Sequence, residues 1–277
     1  MKTLSKIYMW VIFALLYAPI LVLILFSFND AGSLNHFSGF SLKWYAELFR
    51  DTRALDALKN SLYLAVSSSL LATVIGTLAA FAISRMRSKY LKGALKSVTN
   101  IPMMNPDIVT GVSMMLLFVA AMSIPFSPLK KLGFLTMLIA HTTFNLPYVI
   151  LSVLPRFQQM DKHLTEASLD LGCTPTMTFF RVELPLVIPG IVSGLMLGFT
   201  LSLDDFVISH FVSSPDFKTL PLYIYNQTAH EVKFSMYALC TLIILTILVL
   251  LIAVNLAGSK KKDRPRKQKR VKGATAK

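Results

Sequence analysis

The chain has 277 residues, of which 54% are apolar and 15% charged, with a mean hydropathy of +0.60. Soluble domains carry about a quarter of their residues as charges, so this composition excludes an ordinary globular protein and points to a protein integral to a membrane. Two cysteines exclude a disulfide scaffold, and the formal net charge of +14 needs an explanation other than the nucleic acid it would suggest in a soluble chain.

Six uncharged runs dominate the sequence, at 7–28, 61–84, 108–129, 132–155, 184–203 and 234–259. Each approaches the ~20 residues with which a helix crosses a ~30 Å hydrocarbon layer. Backbone groups in lipid must pair internally, so the runs are read as helices. Spans are placed at about 7–28, 61–84, 108–125, 133–155, 186–208 and 236–258, within a transmembrane domain of 7–259. The first run exceeds the ~7–15 residues of a signal-peptide core and no small-x-small cleavage site follows, so it is expected to be retained.

Six spans put both termini on one side. That side holds twenty lysines and arginines, in 1–6, the 85–105 and 156–185 loops and the 260–277 tail, against eight on the other. The excess predicts cytoplasmic termini. The basic tail is then a topology anchor near anionic lipid, and most of the net charge is orientation rather than nucleic-acid binding.

Between the third and fourth runs stand only Lys130 and Lys131. His141 is the only one of five histidines at membrane depth, and a hydrogen-bonded packing role suits it better than a ligand role. Catalytic signatures are missing: no glycine precedes a lysine, so there is no Walker-type phosphate loop, and no H-E-x-x-H, Cys/His metal spacing or G-x-S-x-G occurs. No catalytic or metal-binding residue is therefore assigned.

The cytoplasmic loop 156–185 is patterned for docking. Asp161 or Thr165 can cap a short helix reaching Leu171, and Gly172 is placed to end it. Leu164, Ala167, Ser168 and Leu171 fall on one small, apolar face. Thr174-Pro175 starts a second helix, carrying Phe179, Phe180 and Val182 and expected to stop before Leu184-Pro185.

The fifth run ends in Asp204-Asp205, and Asp107 precedes the third. A carboxylate at mid-membrane costs roughly 2.5–3.5 kcal/mol, so these acids should face protein, water or a cation. Gly190, Gly194, Gly198 and Ser202 recur every four residues, a stripe for close helix contact. Asp205 lies near that face and Asp204 about 100° away.

These residues carry a family resemblance. Glu166-Ala167-Ser168, then Gly172, then Val182-x-Leu184-Pro185 resembles the EAA loop of ABC importer permeases, with Ser168 and Val182 replacing alanine and isoleucine. The resemblance implies an all-α membrane protein of six transmembrane helices with the type I ABC importer permease (MetI-like) fold. It also implies a coupling role for Glu166, Ala167, Ser168, Gly172, Leu184 and Pro185 toward a separate ATPase subunit dimer, on which ATP and Mg would bind. No cofactor belongs to this chain.

More specifically, Phe199–Phe206, Asn105–Ile108 and Lys43-Trp44-Tyr45 resemble the second permease subunit of spermidine/putrescine importers. That implies a polyamine cargo, a second homologous permease, a periplasmic polyamine-binding protein received by the loops 30–59 and 211–234, and location in a bacterial inner membrane. Counter-charges would come from Asp107, Asp204 and Asp205, a hydroxyl from Ser202, and a cation–π face from Trp44, which equally suits an interfacial aromatic belt. The alternatives are the same scaffold carrying ferric iron, thiamine or another solute, and a stand-alone cation carrier, which an internal inverted repeat would mark.

Overall fold

A computed structural model describes residues 2–32, 36–125, 129–228, 233–246 and 248. The chain forms two compact units, one of Met1–Asp51 with Val232–Lys277 and one of Thr52–Glu231.

The first unit contains α1 (Lys2–Ser27) and α2 (Lys43–Arg50). From Leu4 to Leu25 the large apolar side chains of α1 are mostly exposed, a surface for lipid or for another chain. Past α1 the backbone turns on Asn29, whose Oδ1 accepts from the N–H of Ser38 (3.0 Å) and whose Nδ2 donates to the carbonyl of His36 (2.9 Å). Trp44 closes this turn, its Nε1 donating to the Asn29 carbonyl at 2.7 Å while its ring lies against Phe234.

The second unit runs α3 (Thr52–Arg85), α4 (Lys89–Met104), α5 (Asp107–Met122), α6 (Phe134–Gln159), α7 (Lys162–Asp170), α8 (Pro175–Thr178), a π turn (Phe179–Glu183), α9 (Leu184–Asp204), α10 (Val207–Val212) and α11 (Leu220–Thr228). At its centre α3, α6 and α9 pack on one another. The expected small-residue stripe makes that packing possible. A Cβ added to Gly190 would come 2.9 Å from the Ser152 carbonyl of α6, and one on Gly194 3.2 Å from the Val149 Cα. Gly76 of α3 meets Val149 from the other side, where an added Cβ would lie 2.7 Å from its Cγ1. Polar bonds hold the register: Ser202 Oγ lies 2.9 Å from Ser68 Oγ and accepts from Asn145 Nδ2 at 2.7 Å. At the Phe134 end of α6, Thr136 donates to the Val212 carbonyl, and exposed Lys131 holds the Asp216 carboxyl below the usual carboxylate range from 2.9 Å.

Among the described residues, four helices are long and apolar enough to cross a membrane: Leu4–Ser27, Thr52–Arg85, Phe134–Gln159 and Pro175–Asp204. A fifth crossing exists if α4 and α5, which meet at 102°, count as one bent span. The third span, expected over about 108–125, is in the structure the 16-residue α5, about 24 Å long and short of the hydrocarbon layer by itself. The sixth, expected at 236–258, is described only as a helix over Phe234–Thr246; its remainder and the 260–277 tail lie outside the described residues.

Helix α9 also departs from expectation. Leu184-Pro185 was expected to separate a short loop helix from the span, yet the chain is helical without a break from Pro175 to Asp204. Proline lacks the donor for an α turn and its ring collides with the carbonyl four residues back. The π turn absorbs this: the Leu184 N–H reaches five residues back to the Phe179 carbonyl, and the helix widens where Pro185 must fit.

Candidate functional site: an acidic cavity and a cytoplasmic loop

The break between α9 and α10 builds the first site. Two adjacent carboxylates at a helix C-terminus oppose the macrodipole, so α9 ends at Asp204. Asp205 takes an extended backbone (φ −67°, ψ 121°) and starts the next helix, its Oδ1 and Oδ2 accepting from the N–H groups of Ile208 (3.2 Å) and Ser209 (2.8 Å). Nε2 of the buried His141 lies 3.2 Å from Ser209 Oγ and 3.4 Å from Asp205 Oδ2. The packing role expected of His141 is therefore specific: it braces the capped turn.

Beside this turn is a cavity of about 280 Å³ lined by Asp107, Phe144, Thr200, Leu201, Asp204, Asp205, Phe206 and Val207. Three acids separated by up to 98 positions in sequence thus share one wall. Asp107 opens α5, and Gly111 one turn on lets the α5 backbone approach α10, since an added Cβ would meet the Phe211 ring at 2.7 Å. Phe144 is ten residues into α6, about 15 Å from the start of a helix roughly 39 Å long, so the cavity lies well inside the length of that span.

The three acids differ electrostatically. Asp107 sits at a helix N-terminus, where partial positive charge favours it, and Asp205 is bonded to backbone donors. Asp204 has the carbonyl end of α9 behind it and stays exposed to the cavity. It is the acid with most to gain from an outside cation.

Of the other expected substrate contacts, Ser202 is not in this lining: it is 2% exposed and held between Ser68 and Asn145. Trp44 belongs to the first unit, where it supports the Asn29 turn. Phe144 and Phe206 supply aromatic faces that their local sequence does not single out, and Phe206 packs against Tyr225 with tilted rings and centroids 4.5 Å apart. Nothing in their local sequence separates them from other aromatic span residues.

The second site is the 156–185 loop. Asp161, rather than Thr165, caps α7 by accepting from the His163 N–H at 3.0 Å. Gly172 ends it with φ +84°, the Cys173 N–H reaching the Ser168 carbonyl and the Gly172 N–H that of Leu169. Thr174 caps α8 with Pro175 at its first position. Leu164, Glu166, Ala167 and Leu171 are exposed, Leu171 at 86%, while Glu166 pairs loosely with His163 at 3.2 Å. Ser168, expected on the same face, turns inward instead and bonds Thr178 Oγ1 at 2.7 Å, tying α7 to α8. Thr165 reaches Glu183 Oε1 at 3.0 Å, and the Arg85 guanidinium pairs with the same carboxylate.

Residues 72–262 match the model of the family described as binding-protein-dependent transport system inner membrane component. The chain belongs to this family. It is an inner-membrane transport permease, and the mostly helical build of its described residues agrees with that. The putrescine transport system permease protein PotI of Escherichia coli K12 is 38% identical over 232 residues, 84% of this chain and 82% of that protein. The spermidine/putrescine transport system permease protein PotC of Haemophilus influenzae is 38% identical over 257 residues, 93% and 97% of the two chains. Among solved structures, a bacterial ABC transporter involved in alginate import superposes with a TM-score of 0.71 at 13% identity, covering 93% of this permease and 95% of that chain. The MetNI methionine ABC transporter gives 0.58 at 20% identity over 80% and 97%. These two likenesses show the fold.

Proposed function

We propose that this permease is a membrane subunit of an ATP-driven ABC importer that carries polyamines, spermidine and putrescine, across the inner membrane by alternating access. The observation that carries this reading is the cavity joining Asp107, Asp204 and Asp205 inside the length of the α6 span. A polyamine is a flexible chain of ammonium groups. An ammonium ~4 Å from a carboxylate gains about 4 kcal/mol at an effective dielectric of 20, comparable with the cost of holding the acid there. Phe144 and Phe206 offer cation–π faces to a second ammonium. The names of the PotI and PotC relatives support the same cargo.

Five crossings at most in the described residues are few to enclose a pathway, so a second homologous permease completes it. ATP and Mg bind to an ATPase dimer that grips the exposed face of α7 through Leu164, Glu166, Ala167 and Leu171 in a helix-in-groove contact. Gly172 ends that helix, and Leu184 and Pro185 pass its motion into α9. Both termini are cytoplasmic, with the tail on anionic lipid, and a periplasmic polyamine-binding protein delivers cargo from the other side.

The test is ATPase stimulation of the purified complex in vesicles by binding protein loaded with spermidine, putrescine, ferric iron or thiamine. Stimulation by the polyamines alone is expected. Stimulation by iron or thiamine would reassign the cargo, and uptake by this chain without an ATPase subunit would overturn the importer reading.

A further inference from the structure

We propose that Arg85 and Glu183 form the joint through which the 156–185 loop moves α3, making them positioning residues of the transport cycle. This inference rests on the reading that the loop docks an ATPase. Covalently, the loop pulls on α6 at its start, past Gln159, and on α9 at its end, through Pro175–Asp204, but not on α3. Helix α3 is joined to the loop in sequence only through α4, α5 and α6. The α9 glycines lie against α6, at Ser152, Val149 and Asn145, and the Ser68–Ser202 bond between α3 and α9 lies 18 residues from Leu184, remote from the loop. If α3 is to follow, a non-covalent joint is required.

Glu183 has the properties of such a joint. It is 1% exposed, and its Oε1 takes donors from two other elements, the Arg85 guanidinium at the end of α3 and the Thr165 hydroxyl of α7. Its Oε2 has no donor among the described residues. A buried carboxylate so incompletely bonded is a poor way to gain stability, because an apolar side chain of similar volume serves packing at least as well. What the charge supplies is direction and register. The arginine is aligned independently: its guanidinium lies 5.5 Å from the Phe81 ring centroid, and that ring packs 4.6 Å from Phe179 of the π turn. Ser168 and Thr178 keep α7 and α8 together, so the loop reaches the joint as one piece. Midway along α3, Ser68 bonds Ser202, two residues before Asp204. The joint therefore connects the loop to the wall of the acidic cavity along a second helix.

The full transporter, with both permeases, ATPase subunits and binding protein, is reconstituted in vesicles carrying Glu183→Gln, Arg85→Gln, Arg85→Glu, or the reciprocal pair Arg85→Glu with Glu183→Arg. Three quantities are read: ATPase subunit retained on purification, ATP hydrolysed, and spermidine moved per ATP. Each is normalised to assembled complex, so a merely structural role would lower yield and leave spermidine per ATP unchanged. The expected result is retained ATPase with spermidine per ATP reduced roughly 5–150-fold, the usual size of coupling between linked sites. The reciprocal pair should recover more than Arg85→Glu alone. An unchanged ratio in both Glu183→Gln and Arg85→Gln, or no recovery in the reciprocal pair, overturns the joint and leaves docking intact. Failure of the unaltered complex to retain any ATPase subunit removes the docking reading and the joint with it.

Discussion

The carboxylate of Asp205 accepts the backbone N–H of Ser209 at 2.8 Å, which makes it the cap of α10, while its chain neighbour Asp204 faces the cavity without that bond. Two identical side chains in sequence thus divide into a structural acid and a free one.

The division gives the first prediction. Asp204→Asn should leave the thermal midpoint of the purified permease nearly unchanged and abolish most polyamine uptake. Asp205→Ala removes a helix cap and should cost about 1 kcal/mol, within the 0.5–2 range for such caps, with a correspondingly lower midpoint. Melting curves and uptake on the same preparations separate the two. Equal midpoints together with equal uptake in both variants would contradict the division.

Ser202 gives a second test, because its hydroxyl serves helix packing. Ser202→Ala leaves the buried Asn145 Nδ2 without its acceptor, which should cost roughly 1–3 kcal/mol. The ratio of spermidine to putrescine transported should stay as in the unaltered protein. A changed ratio, measured by competitive uptake, would return Ser202 to the pathway.

How much of this was legible in the sequence depends on range. Local rules sufficed for the Gly172 stop, the Thr174-Pro175 start and the glycine stripe, and narrowed the α7 cap to Asp161 or Thr165, since each is decided within a few residues. The acids of the cavity were legible because charge in an apolar run is costly anywhere. What stayed hidden depends on distant partners. Glu183 occupies the free position of Val182-x-Leu184-Pro185, and Arg85 stands 98 positions earlier, where it reads as one more basic residue after a span. The 102° bend before Asp107 was hidden for another reason: α4 mixes lysines with exposed apolar residues such as Leu91, Val98 and Ile101, so it merges with a basic loop in a hydropathy count.

Gly172 supports a prediction about the loop alone. Its φ of +84° suits glycine, and an added Cβ would meet nothing within 4 Å, so the cost of Gly172→Ala is purely a backbone cost of about 1–2 kcal/mol. Because α7 is short, that cost should fray its end rather than unfold the permease. The expected outcome is weaker retention of the ATPase subunit with an unchanged melting midpoint, and Gly172→Asn, which tolerates a left-handed backbone better, should retain more than Gly172→Ala.

The seam between α6 and α9 can be probed by one methyl group at two places on the same stripe. At Gly190 the added Cβ would come 2.7 Å from Arg156 Cγ and 2.9 Å from the Ser152 carbonyl; a side chain can swing aside, but the backbone oxygen cannot. At Gly198 the nearest atom is Asn145 Cγ at 3.5 Å, an ordinary contact. Gly190→Ala should therefore destabilise by roughly 1–3 kcal/mol through overpacking. Gly198→Ala should be neutral or stabilising by up to about 1 kcal/mol, because alanine restricts the unfolded chain and favours helix. Denaturation midpoints in one detergent compare them directly. A Gly198→Ala variant less stable than Gly190→Ala would mean that the two helices approach most closely near the cavity rather than near the cytoplasmic loop.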